Sequence, residues 1–208
     1  RMTPGQLPDS GVVSTSIEGS DLHRYSVGAQ GVVGPTRIPT QGAPYAGVIE
    51  QRPGVLLYSL LDQIHRVDFD GHDTAISAVP GFEHMTAGPN DGSLWISDGG
   101  RIMLVKLDGS GETVVESALT DAATRVFAMA STPTHLALLV EGPGESWSLQ
   151  IYRPDGALVF TAPLARPGAL DHIALAARDD QVAVAGIEHV GIWDWSGKVL
   201  FSTWPARE

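Results

Sequence analysis

Short apolar stretches alternate with turn-forming residues along the whole chain. Stretches such as VLLYSLL (55–61) and LALLV (136–140) have the length of β-strands, and glycine, proline or aspartate separates them. No segment keeps the 3.6-residue apolar period for three turns, as an amphipathic helix of ordinary length would. The 24 glycines and 14 prolines among 208 residues are typical of a chain with many short strands and turns. The pattern predicts an all-β fold.

One combination recurs along the chain: an apolar strand, a turn pair ending in glycine, and a second apolar strand. It occurs in VDFDGHDTAISAV (67–79), VKLDGSGETVVES (105–117), YRPDGALVFTAP (152–163) and WDWSGKVLFSTW (193–204). The turn glycines Gly71, Gly109, Gly156 and Gly197 are 38, 47 and 41 residues apart. LHRYSVGAQGVV (22–33) matches IHRVDFDGHDTA (64–75) at an offset of 42 and adds a fifth copy. A period of about 40 residues indicates a propeller or another repeat array.

Each repeat accommodates four strands, although the first lacks its first strand unless residues 3–9 supply it. The two positions that lie four and five residues before each turn glycine are mostly apolar, for example Ile151 and Tyr152. Consecutive apolar residues indicate a strand covered on both faces, as in stacked propeller blades. We therefore predict a five-bladed β-propeller of four-stranded antiparallel blades. We expect one domain over 1–208, or one domain of a longer protein, with blades at 1–38, 45–79, 82–119, 126–164 and 172–204.

Two segments resemble known propeller repeats. DGSLWISDGGRIMLVKLDGSG (91–111) resembles an NHL-type repeat through Asp98, Arg101-Ile102 and Asp108-Gly109. VGIWDWSGKVLFSTW (190–204) is similar to a WD repeat, with Trp193-Asp194 at the end of its third strand. These resemblances imply a scaffold that binds proteins or other ligands rather than an enzyme.

An acidic residue follows the second strand of every repeat. Propeller turns of this class gather around the mouth of the channel, so a ring of carboxylates there would hold a cation or attract a basic partner. The simpler alternative is that each acid accepts backbone N–H bonds within its own turn. The acids are Glu18, Asp62, Asp98, Glu141 and Glu188.

The longest of these turns is EGPGESW (141–147), and we predict that its tip exposes Glu145 and Trp147. Exposed side chains on such a loop are candidates for partner contact. Arg101, after the turn that carries Asp98, is a further candidate. The predicted binding residues are thus Arg101, Glu145, Trp147 and the five turn acids.

Net charge and composition exclude several classes of function. The net charge is −11, and the 13 basic residues are scattered, which disfavours binding to a phosphate backbone. The chain has no cysteine, so disulfides and thiolate chemistry are excluded. No apolar run approaches the roughly 20 residues that cross a bilayer. We expect no nucleic-acid or membrane partner and favour a cytoplasmic protein, with export as the alternative.

Three alternatives to a protein-binding scaffold remain open at the level of sequence. IHRVDFDGHD (64–73) is rich in metal-ligating residues, but the EF-hand spacing counted from Asp68 places His72 and Val79 where acids are needed. We therefore read Asp70-Gly71 as a turn. A channel metal, as in lactonase-like or lyase-like propellers, would need amide ligands, and Asn90 is the only asparagine. A lectin would use exposed tryptophans, but Trp95, Trp193 and Trp204 fall in predicted core strands.

The sequence as a whole predicts a non-catalytic binding module without cofactor or metal. Its partner is expected to be another protein or a fused domain, engaged through the acidic face. The alternatives are the channel-metal enzyme and the carbohydrate-binding lectin.

Overall fold

The computed structural model describes residues 2–4, 11–15, 21–28, 31–42, 47–52, 54–78, 82–99, 101–107, 112–115, 124–166 and 173–204. Within these ranges the chain forms twenty β-strands, and its only helical segment is the 3-10 turn Pro143–Glu145. The all-β prediction is confirmed. No helix among these residues is long and apolar enough to cross a membrane.

The chain divides into two compact units, residues 1–85 and 86–208. The first unit contains two four-stranded antiparallel sheets, each with its strands hydrogen-bonded in chain order. Sheet 1 consists of β1 (Met2–Pro4), β2 (Gly11–Thr15), β3 (Leu22–Gly28) and β4 (Gly31–Ile38). Sheet 2 consists of β5 (Val48–Arg52), β6 (Val55–Leu60), β7 (Gln63–Asp68) and β8 (Asp73–Ala78). The sequence offers only residues 3–9 as the first strand of this repeat. The short strand β1 takes that place and overlaps the start of this range.

The second unit contains three more sheets of the same kind, apart from the first two residues of β9. Sheet 3 consists of β9 (His84–Ala87), β10 (Ser93–Asp98), β11 (Arg101–Lys106) and β12 (Glu112–Val115). Sheet 4 consists of β13 (Arg125–Ser131), β14 (Leu136–Gly142), β15 (Ser146–Tyr152) and β16 (Leu158–Leu164). Sheet 5 consists of β17 (Ala174–Arg178), β18 (Gln181–Ala185), β19 (Val190–Asp194) and β20 (Val199–Ser202).

Sheet 4 is buried on both of its faces, which explains the uninterrupted apolar run LALLV in β14. Successive side chains of a strand point to opposite faces. Leu136, Leu138 and Val140 pack in one core with Trp95 of sheet 3. The alternate residues Ala137 and Leu139 pack in another core, with side chains of sheet 5 that include Val182, Val184 and Trp193.

The neighbouring strand β15 divides its side chains in the same way. Ile151 belongs to the core shared with sheet 5, and Tyr152 belongs to the core shared with sheet 3. Both side chains are at most 1% exposed. Burial of an aliphatic side chain contributes about 1.5–3 kcal/mol. The prediction that these two positions face opposite covered surfaces is confirmed.

The first unit has an apolar core formed by described residues of both of its sheets. Leu22 and Ile38 of sheet 1 pack against Val48, Leu56, Tyr58 and Val67 of sheet 2. Leu22 and Ile38 are both 0% exposed, so water is excluded from their contacts with sheet 2. Sheet 2 thus also uses apolar residues of its second and third strands for packing.

The turns between the third and fourth strands repeat one hydrogen-bond pattern. In sheet 5, Gly197 N donates to Asp194 O at 3.0 Å, and Asp194 N donates to Lys198 O at 3.0 Å. The corresponding bonds of sheet 4 join Gly156 to Arg153 (3.0 Å) and Arg153 to Ala157 (2.9 Å). In sheet 2 they join Gly71 to Asp68 (3.1 Å) and Asp68 to His72 (3.3 Å).

The glycine of each of these turns occupies the left-handed region, with φ of 87° at Gly71, 85° at Gly156 and 89° at Gly197. Glycine enters this region without the steric cost that a Cβ carries. The predicted role of these three glycines is confirmed, whereas Gly109 lies outside the described residues. Three repeats therefore share a turn down to its individual hydrogen bonds.

We expect Gly197→Ala to lower the free energy of unfolding by roughly 1–3 kcal/mol, because alanine is strained at this φ. The new Cβ would also lie 2.8 Å from Cγ of Phe160. Gly92→Ala is the control, since a Cβ there meets nothing within 4 Å and its φ is outside the strained range. Urea denaturation of both variants checks this; equal midpoints would contradict it.

Candidate functional site

The second-to-third-strand turns carry four of the five predicted acids in the described part of the chain. Asp62 lies in the turn between β6 and β7, Asp98 ends β10, and Glu188 lies in the turn between β18 and β19. These three side chains are exposed, and Glu141, in β14, is partly buried. Glu18 lies outside the described residues.

Basic residues accompany two of these acids. Arg101 lies opposite Asp98 across the turn between β10 and β11. Arg125 lies opposite Glu141 in the pairing of β13 with β14. The next residue, Val126, donates its N–H to Gly99 O at 3.3 Å. This bond brings the Asp98 turn of sheet 3 next to the Arg125 end of sheet 4, so acids and arginines are mixed there.

The two classes of turn use their acids differently. In the third-to-fourth-strand turns, Asp194 Oδ1 accepts bonds from Ser196 N (2.9 Å) and Lys198 N (3.0 Å), and Asp155 Oδ1 accepts one from Ala157 N (3.0 Å). These carboxylates cap their own turns. Within the described residues, no hydrogen bond or ion pair involves the carboxylates of Asp98 or Glu188. Capping of the local backbone therefore does not account for Glu188, and it does not account for Asp98 among the described residues 98, 99 and 101 of its turn.

The long turn of sheet 4 exposes Glu145 but not Trp147. Glu145 has a φ of 59°, and its Oε2 accepts a hydrogen bond from Nη1 of Arg166 at 2.6 Å. Both side chains of this ion pair are more than half exposed. Surface pairs of this kind contribute little to stability, about 0–1 kcal/mol. Glu145 is thus held in place at the surface and remains accessible.

The predicted exposure of Trp147 is wrong. Its side chain is 1% exposed and packs against Phe127, with 4.5 Å between the ring centroids. Trp147, Leu149 and Ile151 lie on one face of β15 and join the core shared with sheet 5. The period of two in the sequence contains this signal, because it places Trp147 on the same face as two aliphatic residues. The expected core positions of Trp95, Trp193 and Trp204 are confirmed.

Residues 69–72 of the Asp-rich stretch 64–73 form the turn between β7 and β8, as predicted, and Asp68 is hydrogen-bonded to Asp70 and His72. Ligand atoms of Asp68, Asp70 and His72 lie within 4.8 Å of one another, which is close enough to approach one cation. However, Asp68 Oδ1 accepts from Asp70 N (3.0 Å) and His72 N (2.9 Å), and its Oδ2 accepts from His72 Nδ1 (2.8 Å). These bonds give the carboxylate a role in forming the turn.

The same bonds shift both pKa values of the pair. The hydrogen bonds from the backbone and then the side chain of His72 lower the pKa of Asp68. The bond to Asp68, reinforced by its negative charge, raises the pKa of His72. Because both side chains are exposed to solvent, their charges are screened, and they have little influence on the pKa values of distant groups.

Sequence reasoning missed a stacked pair between sheets 4 and 5. The rings of His135 and Trp195 are parallel to within 4°, with centroids 4.6 Å apart. Nε1 of Trp195 donates to the carbonyls of Arg178 and Asp179, at 3.1 Å each. Burial lowers the pKa of His135, and the charge of Arg153 lowers it further. The two residues are 60 positions apart in sequence, so no local pattern indicates their contact.

A buried polar network in sheet 2 was also missed. Asp73 accepts hydrogen bonds from the hydroxyl of Tyr58, from His65 Nδ1 (2.9 Å) and from Gln41 N (2.8 Å). The side chains of His65 and Asp73 are 2% and 7% exposed. Burial, together with the bond to Asp73, raises the pKa of Tyr58 well above its usual value. The network ties β6, β7 and β8 together and is a structural feature of the sheet.

We expect NMR titration to find the imidazole pKa of His72 above that of a free histidine and that of His135 below it. Asp68→Asn should lower the pKa of His72 towards its ordinary value and leave that of His135 unchanged. Trp195→Ala should raise the pKa of His135 by admitting water. Because the pKa of His72 is raised on folding, its stabilising effect is present below the unfolded-state pKa and is lost as pH rises through the folded-state value. Indistinguishable pKa values would contradict the pairing.

Comparison with known proteins relates the chain to other structures by fold alone. No protein-family model matches the sequence, and no curated protein sequence matches it. A chain in the crystal structure of a nidogen/laminin complex is similar, with a TM-score of 0.69 and 18% identity, over 97% of this chain and 78% of that one.

Two structures of Hsv2 from Kluyveromyces lactis are also similar. One has a TM-score of 0.55 and 16% identity, and the match covers 89% of this chain and 58% of that chain. The other, described as having a complete loop 6CD, has a TM-score of 0.56 and 15% identity over 89% and 57%. This chain therefore spans less than two thirds of the Hsv2 chains. Together the likenesses support a β-propeller fold.

Proposed function

We propose that this chain is a non-catalytic scaffold that binds another protein, or a fused domain, through its second-to-third-strand turns. The proposal includes a five-bladed propeller in which the five sheets are the blades. The carrying observation is the exposed acid at the same turn of sheets 2, 3 and 5, namely Asp62, Asp98 and Glu188. The acid lies within the turn at Asp62 and Glu188 and at the last paired residue before the turn at Asp98. Its recurrence in this class of turn supports a shared use of these turns.

The contrast between the two turn classes favours binding over turn formation. Asp68, Asp155 and Asp194 are engaged by the backbone of their own turns. Asp98 and Glu188 make no such bond within the described residues. Exposed carboxylates without a local backbone role are available to basic side chains of a partner. A net charge of −11 adds long-range attraction to such a partner.

The neighbouring structures support the class of ligand. One similar chain was solved in a complex of nidogen with laminin, which is a complex between proteins. Propellers present variable loops on a rigid stack of sheets, and such loops carry binding residues. Glu145, held by Arg166 at the tip of the longest such turn, extends the proposed contact region within sheet 4.

Arg101 gives the proposed surface a polar contact of the opposite charge. It lies opposite Asp98, so a partner that meets this turn encounters an acid and a base side by side. Alternating charges favour one orientation of a partner over others, because like charges placed opposite each other are unfavourable. Trp147 has a supporting role, since its buried ring fixes the strand that begins directly after the sheet 4 turn.

We expect the double variant Asp98→Lys/Glu188→Lys to lose a protein partner that the wild-type chain captures in affinity purification. The reason is that two attractive contacts become repulsive. Isothermal titration with the purified partner would measure the loss, and it should amount to at least about tenfold in affinity. The melting temperature should stay close to that of the wild type, because both side chains are exposed.

The matched control is Asp91→Lys/Asp179→Lys, which makes the same change of net charge at first-to-second-strand turns of sheets 3 and 5. Both control positions are exposed. We expect the control to keep most of its affinity, with only the general loss caused by reduced net charge. Equal affinity of both double variants would overturn the proposal that these particular turns form the contact.

A further inference from the structure

Leu61 occupies an unusual position for an aliphatic residue. It lies at the tip of the turn between β6 and β7, its side chain is 79% exposed, and its φ is 52°. Burial rewards a leucine, and the left-handed region penalises any residue with a Cβ. Neither the exposed apolar side chain of Leu61 nor its positive φ therefore stabilises the fold.

Glycine takes the left-handed position in other turns of the same class. Gly99 has a φ of 57° in the second-to-third-strand turn of sheet 3, and Gly144 has a φ of 68° in that of sheet 4. Sheet 3 thus has an unstrained solution for this turn that sheet 2 does not use, whereas the longer turn of sheet 4 places Glu145 in the left-handed region after Gly144. Strained residues in the left-handed region tend to occur at functional sites. The contrast indicates that the side chain of Leu61 is retained for a contact outside its own turn.

A second turn of this class presents the same pair of residue types. In sheet 5, Ile187 is 56% exposed and directly precedes Glu188, as Leu61 precedes Asp62. Gly186 N donates to His189 O at 2.8 Å and closes this turn with Ile187 and Glu188 at its tip. In the first repeat the sequence has Ile17-Glu18, outside the described residues. By sequence the aliphatic-acid pair recurs in four of the five repeats, since Val140-Glu141 is another, but Val140 is buried. Among the described residues the aliphatic member is exposed in sheets 2 and 5.

We propose that Leu61 in the turn of sheet 2 and Ile187 in the turn of sheet 5 are each, within its own unit, an apolar anchor residue for a protein segment that combines aliphatic side chains with lysine or arginine. This inference rests on the proposed function and specifies its partner. Exposed ion pairs alone supply little affinity because water and salt screen them. Buried apolar side chains dominate binding energy in most interfaces. Each turn supplies both parts, an aliphatic anchor and an adjacent acid that selects a basic neighbour.

Fluorescence anisotropy with short labelled peptides tests this proposal directly. The probe is a peptide of repeated Arg-Leu-Ser triplets. One comparison peptide, of Arg-Ser-Ser triplets, keeps the charge and lacks the aliphatic group, and another, of Glu-Leu-Ser triplets, reverses the charge. We expect the Arg-Leu-Ser peptide to bind about tenfold or more tightly than either.

The variant Leu61→Ser/Ile187→Ser should reduce binding of the Arg-Leu-Ser peptide to the level of the Arg-Ser-Ser peptide. Leu158→Ser/Leu200→Ser is the matched control, since these side chains are 48% and 49% exposed but lie outside the second-to-third-strand turns. The control should bind the Arg-Leu-Ser peptide as the wild type does. Equal loss in both double variants would overturn the assignment of these anchors.

The variant Leu61→Gly distinguishes a binding role of Leu61 from a structural role, because the two roles predict opposite changes in melting temperature. Glycine relieves the strain at this φ, so the melting temperature should rise or stay constant while peptide binding falls. A lower melting temperature would show that Leu61 is needed for folding and would overturn the proposal.

Failure of this inference is distinguishable from failure of the proposed function. If the Arg-Leu-Ser and Arg-Ser-Ser peptides bind equally and Asp98→Lys/Glu188→Lys abolishes both, the acidic turns bind without apolar anchors and only this inference is overturned. If the Glu-Leu-Ser peptide binds as tightly as the Arg-Leu-Ser peptide, the acids have no role and both proposals are overturned. Absence of binding by all three peptides also overturns the inference.

Discussion

Burial of sheet 4 on both faces is the constraint on which the second unit depends. Alternate side chains of β14 and β15 enter two different cores, one shared with sheet 3 and one with sheet 5. The middle of β14 has no solvent-facing side, so its sequence is apolar without alternation. In β15 the polar residues Ser148 and Gln150 alternate with Trp147, Leu149 and Ile151. The candidate contact residues of the unit lie in turns or near the ends of strands.

The sequence predicts local features of this architecture well. Strand positions follow from apolar stretches, and the third-to-fourth-strand turns follow from glycines that adopt a φ near 87° and from neighbouring aspartates. Such features depend on a few consecutive residues, whose conformational preferences act locally. Glu145 at an exposed loop tip was predictable on the same ground. The predicted exposure of Trp147 failed because loop membership was weighed above the period of two that places its ring in the core.

Side-chain contacts between segments that are distant in sequence could not be predicted from the sequence. The stack of His135 on Trp195 and the bonds of Asp73 with Tyr58 and His65 each require a particular packing or register of strands. Histidine and aspartate in a strand are compatible with a solvated surface, a buried pair or a ligand site. Only the register that places β7 beside β8 brings His65 and Asp73 together. Buried polar networks of this kind specify a register, because an unpaired member in another register would carry a desolvation cost.

The two classes of turn differ in how their residues serve the fold, and we propose that only the second-to-third-strand turns serve recognition. At the third-to-fourth-strand turns, glycine takes the left-handed position without strain, and aspartate accepts hydrogen bonds from the backbone. Both residue types therefore stabilise the fold. At the turn of sheet 2 between the second and third strands, Leu61 takes the left-handed position that Gly99 takes in sheet 3. Replacement of glycine by leucine there adds strain and exposes apolar surface. A residue that is unfavourable for the isolated fold is expected to persist only where an external contact buries it. This local cost, more than the acidity of the turns, supports the proposed contact at Leu61.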